Sequence, residues 1–292
     1  MADRSGTLYV VATPIGNLED ITLRALRVLR EVAVIAAEDT RHTLKLLRHH
    51  AIPGAERLTS YFDQNERLKT PQLLARLEAG DDVALVSDAG TPAISDPGFD
   101  LVRAAAGRGI KVVSVPGPSA AAAAVSIAGL PTDRFLFVGF LPPRSGGRAK
   151  ALEGLASERA TLVFYVPGRD LDRRLTEMRQ ALGDRPAAVA RELTKVNEEV
   201  VRGSFTDILA ALAERPERLR GEAVVVVSGA PEAPQAGEEQ ARAMLEAAIA
   251  GGATVREAAR MVAAALNLPR RGVYQMALNL KARQGDSSRE RG

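Results

Sequence analysis

The stretch "SDAGTPAISDPG" (residues 87–98) follows the apolar run "DVALV" (82–86) and holds two aspartates, two glycines and two prolines. A short apolar run rich in valine predicts a buried strand. Connections between elements usually take about 4–6 residues, so this one is longer than a simple connection requires. We therefore expect the SDAG loop, as residues 87–98 are called below, to be shaped around a ligand.

Strands and helical patterns alternate on both sides of this loop. Strands are expected at 8–12, 32–37, 82–87 and 111–116, and helices around 20–31, from about 40, over 66–79 and over 98–108. Such alternation predicts parallel strands covered by helices. In open α/β sheets, ligands bind beyond the carboxyl ends of the strands. The SDAG loop and the loop "TPIGN" (13–17) both lie at such ends.

The segment "PGPSA" (116–120) interrupts this pattern, and a second set of strands follows it. Those strands are expected at 135–140, 161–166, 187–192, 198–203 and 223–229. Only five residues separate the third from the fourth, which favours antiparallel pairing there. The second set therefore predicts a mixed α/β domain.

The predicted organisation has three parts. An N-terminal α/β domain covers 1–117, a mixed α/β domain covers 118–232, and a linker with a basic helical tail covers 233–292. Within the last part, "APEAPQAGEEQ" (230–240) is interpreted as the linker, 241–283 as helical, and "QGDSSRERG" as a frayed end.

The composition is ordinary for a globular protein and fits a reducing compartment. Hydrophobic residues make up 46% and charged residues 26% of 292 residues, and there is no cysteine for disulfides or thiolate metal sites. The N-terminus lacks a signal-peptide pattern, and the most apolar stretch (120–130) is too short to span a bilayer. We expect a cytoplasmic protein with no membrane partner.

Positive charge is concentrated near the C-terminus. The net charge is +3, but residues 254–283 alone carry +5, from Arg256, Arg260, Arg270, Arg271, Lys281 and Arg283 against Glu257. A basic segment on a near-neutral body favours a polyanionic partner, although a solvated helical face has the same composition. A break at 267–269 divides the segment into two helices, which form either a helix-turn-helix or a packed hairpin.

Two aspartates in the SDAG loop are interpreted differently. Asp96 precedes Pro97 and Gly98, a pattern typical of a helix N-cap. Asp88 ends a buried strand beside Gly90 and is predicted to contact a ligand. In "TPIGN", a tight turn near a ligand and a helix capped by Asn17 or Asp20 remain alternatives.

The SDAG loop resembles the signature of the ribosomal RNA small-subunit 2′-O-ribose methyltransferases that act on a cytidine, a family of the tetrapyrrole methylase superfamily. The segments "ATPIGNLEDITLRAL", "AEDTRHTLKLL", "PGPSA" and "ARELTK" match the same family in the same order, over roughly residues 7–229. The resemblance implies a two-domain α/β fold with S-adenosylmethionine in the cleft between the domains and a helical C-terminal segment. It also implies a homodimer and a partner in 16S rRNA or the small ribosomal subunit.

The resemblance also implies the residues that contact the cofactor, with no metal. They are Pro14, Ser87, Asp88, Ala89, Gly90, Ala93, Ser119, Ala120, Tyr165, Val166 and Ala190. The sequence departs from the family pattern at "FYVPGRDLD", where an acidic residue usually follows "FY" and a His-Arg pair comes later. Val166 stands at the acidic position, and Arg169 is the nearby charge.

A methyl transfer to a ribose hydroxyl needs a proton acceptor. Candidates are Asp39, Asp88 and Glu192, although Asp39 also suits a helix cap and Glu192 an ion pair with Arg191 or Lys195. The cluster of His42, His49 and His50 favours a surface helix over a metal site. A basic RNA path and an ordinary exposed face remain open for Arg24, Arg27, Arg30, Arg41, Lys45 and Arg48.

Two other functions compete with RNA methylation. One is methylation of a tetrapyrrole or another small molecule on the same fold, and the other is nucleic-acid binding without catalysis. The segments "TPIGN" and "AEDTR" and the basic tail favour RNA as the substrate, and the complete set of cofactor segments favours an enzyme.

Overall fold

The computed structural model describes residues 5–214, 221–231 and 236–289. At 236–238 and 281–289 it describes the backbone alone. The described residues form two compact units, which divide between Ala230 and Pro231. The first unit contains two five-stranded sheets, and the second contains helices alone. The predicted domain boundary at 117/118 falls between the two sheets and stays a prediction.

The first sheet contains five parallel strands with helices between them. The strands are β1 (Thr7–Val11), β2 (Val34–Ala37), β3 (Leu58–Ser60), β4 (Val83–Val86) and β5 (Lys111–Val115). The helices are α1 (Leu23–Glu31), α2 (Thr40–His49), α3 (Glu66–Glu78) and α4 (Phe99–Gly107). The order is β3-β2-β4-β1-β5, which confirms the expected parallel sheet and adds β3 to it.

Helices cover both faces of this sheet, so its central strands read as continuous apolar runs. All four residues of β2 and all four of β4 are buried. Helices α1 and α2 pack on one face, and α3 and α4 pack on the other. The helix caps correct one expectation: Thr22 caps α1, whereas Asn17 caps only a short 3₁₀ turn at 18–20 and Asp20 caps nothing.

The second sheet is mixed, as the sequence predicts. Its strands are β6 (Phe135–Phe140), β7 (Thr161–Pro167), β8 (Pro186–Arg191), β9 (Glu199–Ser204) and β10 (Glu222–Val227), in the order β6-β7-β10-β8-β9. Only β6 and β7 pair in parallel, and the expected antiparallel pairing of β8 with β9 is confirmed.

Four helices cover the second sheet. They are α5 (Ala120–Ala128), α6 (Ser145–Glu153), α7 (Leu171–Leu182) and α8 (Phe205–Ala213). Helix α5 packs on one face with Ala188 and Ala190 of β8, and the other three helices pack on the opposite face. The alanine side chains of α5 pack on this face, and Ile15 from the loop after β1 packs against the same cluster.

The second unit consists of α9 (Ala236–Ala250), α10 (Val255–Ala265) and α11 (Arg270–Arg289), packed around a small apolar core. Helix α9 starts before residue 241, because good helix formers such as Ala, Glu and Gln fill "AGEEQ" of the expected linker. Helix α11 continues through 284–289, which were expected to fray, since no proline interrupts it. Residues 232–235 of the expected linker and 290–292 of the expected frayed end lie outside the described residues. Of the helices described, none has the length and apolarity needed to cross a bilayer.

Candidate active site

A cleft of about 280 Å³ opens in the first unit, and residues from both halves of that unit line it. The first half is the first sheet with α1–α4, and the second half is the second sheet with α5–α8. The first half contributes Ile15, Glu38 and much of the SDAG loop (Asp88, Ala89, Gly90, Thr91, Ile94, Ser95 and Asp96). The second half contributes Ser119, Ala120, Phe140, Tyr165, Ala190, Glu192, Leu193, Lys195, Glu222, Ala223 and Val224. The volume is near the lower end of the range for small-molecule sites.

Hydrogen bonds join the loops that follow β1 and β4. The N–H of Thr13 donates to the oxygen of Gly90 (2.8 Å), and the N–H of Gly90 donates to the oxygen of Thr13 (3.0 Å). The Thr13 hydroxyl donates to the oxygen of Ser87 (3.1 Å). Gly90 has a φ of 82°, a conformation that suits glycine. These bonds fix the backbone on one side of the cleft.

Both sides of the cleft contain residues with side chains in left-handed backbone conformations. Ala93 and Ser95 of the SDAG loop have φ values of 66° and 63°. Glu192 and Thr194, in the loop after β8, have φ values of 47° and 66°. Such residues cost roughly 1–3 kcal/mol each and cluster at functional sites, because the surrounding structure must hold them in place.

Of the described residues that line the cleft, five are carboxylates and one is a lysine; the carboxylates are Glu38, Asp88, Asp96, Glu192 and Glu222. Burial raises the pKa of Glu38, which accepts a hydrogen bond from the N–H of Asp88 (3.1 Å). Asp88 in turn accepts one from the N–H of Asp39 (3.0 Å). The cleft therefore favours a ligand with positive charge.

The prediction that Asp96 caps α4 is wrong. Gly98 is the N-cap residue, with a φ of 133°, and its N–H donates to a carboxylate oxygen of Glu66 (2.8 Å). The left-handed turns at Ala93 and Ser95 place Asp96 on the cleft instead. Burial raises the pKa of Asp96 to about 6, although a hydrogen bond from the Ser87 side chain acts to lower it.

Seven of the eleven predicted cofactor residues line the cleft, namely Asp88, Ala89, Gly90, Ser119, Ala120, Tyr165 and Ala190. The other four lie behind its surface. Pro14 and Ser87 are buried, and Ala93 is half-buried in the turn of the SDAG loop. Val166 lies in the core with α7, because alternate residues of a strand face opposite sides and Tyr165 faces the cleft.

The three candidate proton acceptors lie in different settings. Asp39 caps α2 and lies outside the cleft lining, and the Arg41 guanidinium holds its pKa well below the usual range. Asp88 and Glu192 both line the cleft. Glu192 pairs with Lys195 at 3.2 Å, which was one of the expected alternatives.

Glu38 and Glu222 were not predicted as site residues, and Asp96 was predicted as a helix cap. Glu38 directly follows β2, which pairs with β4, so its place at the carboxyl end of a neighbouring strand was a usable signal. Glu222 begins β10 opposite Pro167 of β7. Its position depends on the pairing of β10 with β7, which no local sequence pattern predicts.

The histidine helix α2 has an exposed polar face, as expected. His42 lies 3.8 Å from a carboxylate oxygen of Asp88, and the rings of His49 and His50 pack edge to face. Within the described part of the chain, no three metal-ligating side chains cluster together. Arg24, Arg27, Arg30, Arg41, Lys45 and Arg48 are accessible on α1 and α2, and an RNA path along them stays a prediction.

The two-sheet unit and its cleft have the architecture of a methylase. Residues 7–209 match the profile of the tetrapyrrole (corrin/porphyrin) methylases, and 235–281 match the RsmI C-terminal HTH domain. The solved structure of diphthine synthase has a TM-score of 0.57 at 16% identity, over 76% of this chain and 90% of its own. That of the methyltransferase CobJ has a TM-score of 0.56 at 21% identity, over 77% and 95%. Both show the fold.

Two curated relatives carry a more specific name, ribosomal RNA small subunit methyltransferase I. The protein from Pseudomonas aeruginosa is 46% identical over 97% of this chain and 99% of its own length. The protein from Synechocystis sp. is also 46% identical, over 95% and 99%. The chain belongs to the ribosomal RNA small subunit methyltransferase I family.

Proposed function

We propose that this protein transfers a methyl group from S-adenosylmethionine to the ribose 2′-hydroxyl of a cytidine in 16S rRNA. The observation that carries the proposal is the combination of family membership with a cleft built from the family's own segments. The nucleotide class and the 2′-oxygen come from the resemblance of the SDAG loop and its companion segments. The cofactor and the position of each contact rest on the geometry of the cleft.

The cleft fits S-adenosylmethionine in charge and in shape. The cofactor carries a sulfonium and an ammonium group, and carboxylates dominate the charged lining of the cleft. The ring centroid of Tyr165 lies 5.0 Å from that of Phe137 and 5.4 Å from that of Phe140. These rings offer an aromatic surface to an adenine. A solved uroporphyrin-III C-methyltransferase, 23% identical with a TM-score of 0.51, is described as complexed with S-adenyl homocysteine. When bound, the cofactor supplies the electrophilic methyl group and the leaving group.

The N-terminus of α5 would hold the carboxylate of the methionine part. Ser119 caps this helix, accepting from the N–H of Ala122, and both Ser119 and Ala120 line the cleft. Unpaired N–H groups and the helix dipole favour an anion at this position. Asp88 would face the positive end of the same ligand, and Gly90, which lacks a side chain, leaves room for it against the backbone.

The alternative of a small-molecule substrate has weaker support. The matched tetrapyrrole methyltransferases share 21–28% identity with this chain, whereas the relatives named for ribosomal RNA share 42–50%. The match of α9–α11 to a helix-turn-helix domain adds a nucleic-acid-binding element. A binding protein without catalysis would have no use for the cofactor cleft.

We also propose that the protein acts as a homodimer in the cytoplasm, on the small ribosomal subunit. Apolar side chains on the edge strand β6 support the dimer, since Phe135 and Phe140 are about half exposed there. The absence of cysteine from the sequence supports a reducing compartment. Light scattering on the purified full chain tests the dimer, and a monomer at micromolar concentration would contradict it.

A methyl-transfer assay with radiolabelled cofactor tests the function. The substrates are naked 16S rRNA, 30S subunits that lack the modification, and uroporphyrinogen. We expect label in the RNA alone, resistant to alkali at one cytidine because a 2′-O-methyl group blocks cleavage of the adjacent phosphodiester. Label in the porphyrin, or on a base instead of a ribose, would contradict the proposal.

A further inference from the structure

Asp96 lies where the two halves of the first unit meet. It lines the cleft together with Tyr165 of β7 and Glu222 of β10. Its neighbour Ser95 touches the second sheet, since a Cβ atom on Gly139 of β6 would lie 2.9 Å from the Ser95 hydroxyl oxygen. Asp96 therefore lies where the two halves are in contact, and it lines the cleft.

The charges that act most strongly on Asp96 are negative. Glu38 and Asp88 face it from the ends of β2 and β4, and Glu222 faces it from the start of β10. The one lysine in the described lining of the cleft, Lys195, pairs with Glu192. A carboxylate surrounded by other carboxylates binds a proton more readily than an isolated one.

We propose that Asp96 is the catalytic residue that takes the proton from the ribose 2′-hydroxyl. This inference rests on the proposed function, because it concerns the same cleft and the same reaction. As the 2′-oxygen forms its bond to the methyl carbon, the carbon–sulfur electron pair stays on the sulfur. The O–H electron pair stays on the oxygen, and the proton passes to an Asp96 carboxylate oxygen and then to water.

The three carboxylates that the sequence offers as proton acceptors are less suited to this role. Asp39 is held ionised by Arg41 outside the cleft. Asp88 accepts the Asp39 N–H, and Glu192 is paired with Lys195. Asp96 accepts a hydrogen bond from the Ser87 side chain, and burial raises its pKa to about 6. A base whose pKa lies near the working pH is both ionised and able to accept a proton.

The charge of the cofactor would assist the proton transfer. A sulfonium near Asp96 lowers the proton affinity of the carboxylate, and its conversion to a neutral thioether removes that effect. Proton affinity at Asp96 therefore rises as the methyl group leaves. The pKa of Asp96 is expected to be lower with S-adenosylmethionine bound than with S-adenosylhomocysteine bound.

The test compares Asp96→Asn with Asp100→Asn in the full chain. Asp100 is a matched control, since it pairs with Arg103 on α4 outside the cleft lining. Single-turnover methyl transfer to unmodified 30S subunits is measured from about pH 5 to pH 8.5 with saturating cofactor. We expect Asp96→Asn to be at least about 100-fold slower and to lose the rise in rate that the wild type shows below about pH 6, the pKa of Asp96 before the cofactor binds. Asp100→Asn is expected to keep the wild-type rate and profile.

Two measurements are independent of activity. Calorimetry should show that Asp96→Asn binds S-adenosylhomocysteine with an affinity within about 3-fold of wild type. The thioether of S-adenosylhomocysteine is neutral, so it has no sulfonium charge for Asp96 to attract. Carbon-13 NMR of the aspartate carboxyls, with Asp96 assigned by its absence in Asp96→Asn, should show the lower pKa in the S-adenosylmethionine complex.

Three results would overturn the assignment. They are a rate loss below about 10-fold, a retained pH profile in Asp96→Asn, or an Asp96 pKa that is equal in the two complexes. A large loss of S-adenosylhomocysteine affinity would make Asp96 a binding residue instead. A wild-type protein that methylates no ribose would contradict the proposed function itself, which the first assay shows separately.

Discussion

Gly16 lies directly against the backbone of Leu193. A Cβ atom on Gly16 would be 2.8 Å from the oxygen of Leu193 and 2.7 Å from the Cγ atom of Lys195. Gly16 belongs to the loop after β1, and Leu193 to the loop after β8. Their contact joins the two halves of the first unit at the cleft, and only a residue without a side chain allows it.

We predict that Gly16→Ala weakens cofactor binding. The added methyl group must push the two loops apart, because a backbone oxygen cannot rotate away as a side chain can. Overpacking of this kind costs roughly 1–3 kcal/mol, which corresponds to about a 5- to 150-fold loss of affinity if the strain is relieved in the open cleft. Calorimetry with S-adenosylhomocysteine measures the change.

Gly107→Ala is the matched control for Gly16→Ala. Gly107 ends α4, and an added Cβ atom meets nothing within 4 Å. Its affinity should equal that of wild type, and its stability should be unchanged or slightly higher. Equal affinities for Gly16→Ala and Gly107→Ala would show that the cleft does not need this contact.

Asp88→Ala should weaken S-adenosylmethionine binding more than Asp96→Ala does. Asp88 lines the cleft at the end of β4, and loss of a charge-assisted hydrogen bond costs roughly 1.5–3 kcal/mol. Calorimetry of both variants gives the ranking, and the reverse order would contradict it. Asp39→Ala serves as a structural comparison, which should lose some stability with its helix cap and keep its affinity.

Glu177→Gln should destabilise the protein at neutral pH. The Glu177 carboxylate accepts hydrogen bonds from Arg148 (2.8 Å) and Arg174 (3.0 Å), and both arginine side chains are at least 90% buried. Removal of its charge leaves the buried Arg148 without this ion pair and Arg174 with the longer contact to Asp170 (3.8 Å), at a cost of roughly 3 kcal/mol. Denaturant unfolding at pH 7 measures the difference. Glu78→Gln is the control, because its pair with Arg108 is half exposed and worth little.

The ion pair between Glu177 and Arg148 also predicts that the stability of the fold depends on pH. The hydrogen bonds from Arg148 lower the pKa of Glu177 from 4.5 to about 2 in the folded protein. A lowered folded-state pKa stabilises the fold above the unfolded-state value and ceases to do so as pH falls towards 2. The stability gap between wild type and Glu177→Gln should therefore shrink between pH 4.5 and pH 2. A constant gap over that interval would contradict the assignment.

The basic helices should contribute a salt-dependent part of RNA affinity. Arg270 and Arg271 are exposed at the start of α11 and are the residues to change together. Each phosphate contact to a single strand contributes about 0.7 to the slope of log affinity against log salt, so Arg270→Ala with Arg271→Ala should lower the slope by about 1.4. Arg242→Ala is the control, since Arg242 forms an ion pair with Glu246 on α9. Equal slopes would make the charge of α11 incidental.

Cofactor binding should be independent of metal ions. The described part of the chain contains no cluster of three metal-ligating side chains, and the cleft offers carboxylates to a cationic ligand directly. Calorimetry in excess chelator should give unchanged affinity for S-adenosylmethionine. Loss of binding on chelation would contradict the prediction.

The sequence predicts the strands of both sheets well, because helices cover both faces of each sheet and the central strands are continuous apolar runs. It misses β3, whose three residues are only partly buried and too few to form a pattern. Of the seven predicted cofactor residues that line the cleft, five follow β4 or β5, and Tyr165 and Ala190 lie within β7 and β8. Val166 was predicted as a cofactor contact from its segment alone. Because side chains alternate along β7, its side chain packs in the core, and a contact with the cofactor stays a prediction.

Asp96 shows why the rest of the site could not be predicted. Asp-Pro-Gly before an apolar run is a good local signal for a helix start, and α4 does begin at Phe99. The cap position went to Gly98 because Glu66, which lies more than thirty residues earlier in the chain, accepts its N–H. Tertiary contact decided the role of the aspartate, and no window of sequence contains both partners.

Thr194 and the three other left-handed residues at the cleft limit how this protein can be made more heat-resistant. A glycine adopts their backbone conformation without steric cost, so substitutions to glycine there would relieve strain. The same substitutions would widen the range of shapes open to each loop. Gains in melting temperature at Ala93, Ser95, Glu192 or Thr194 would therefore come at the expense of turnover, the trade-off common at strained sites.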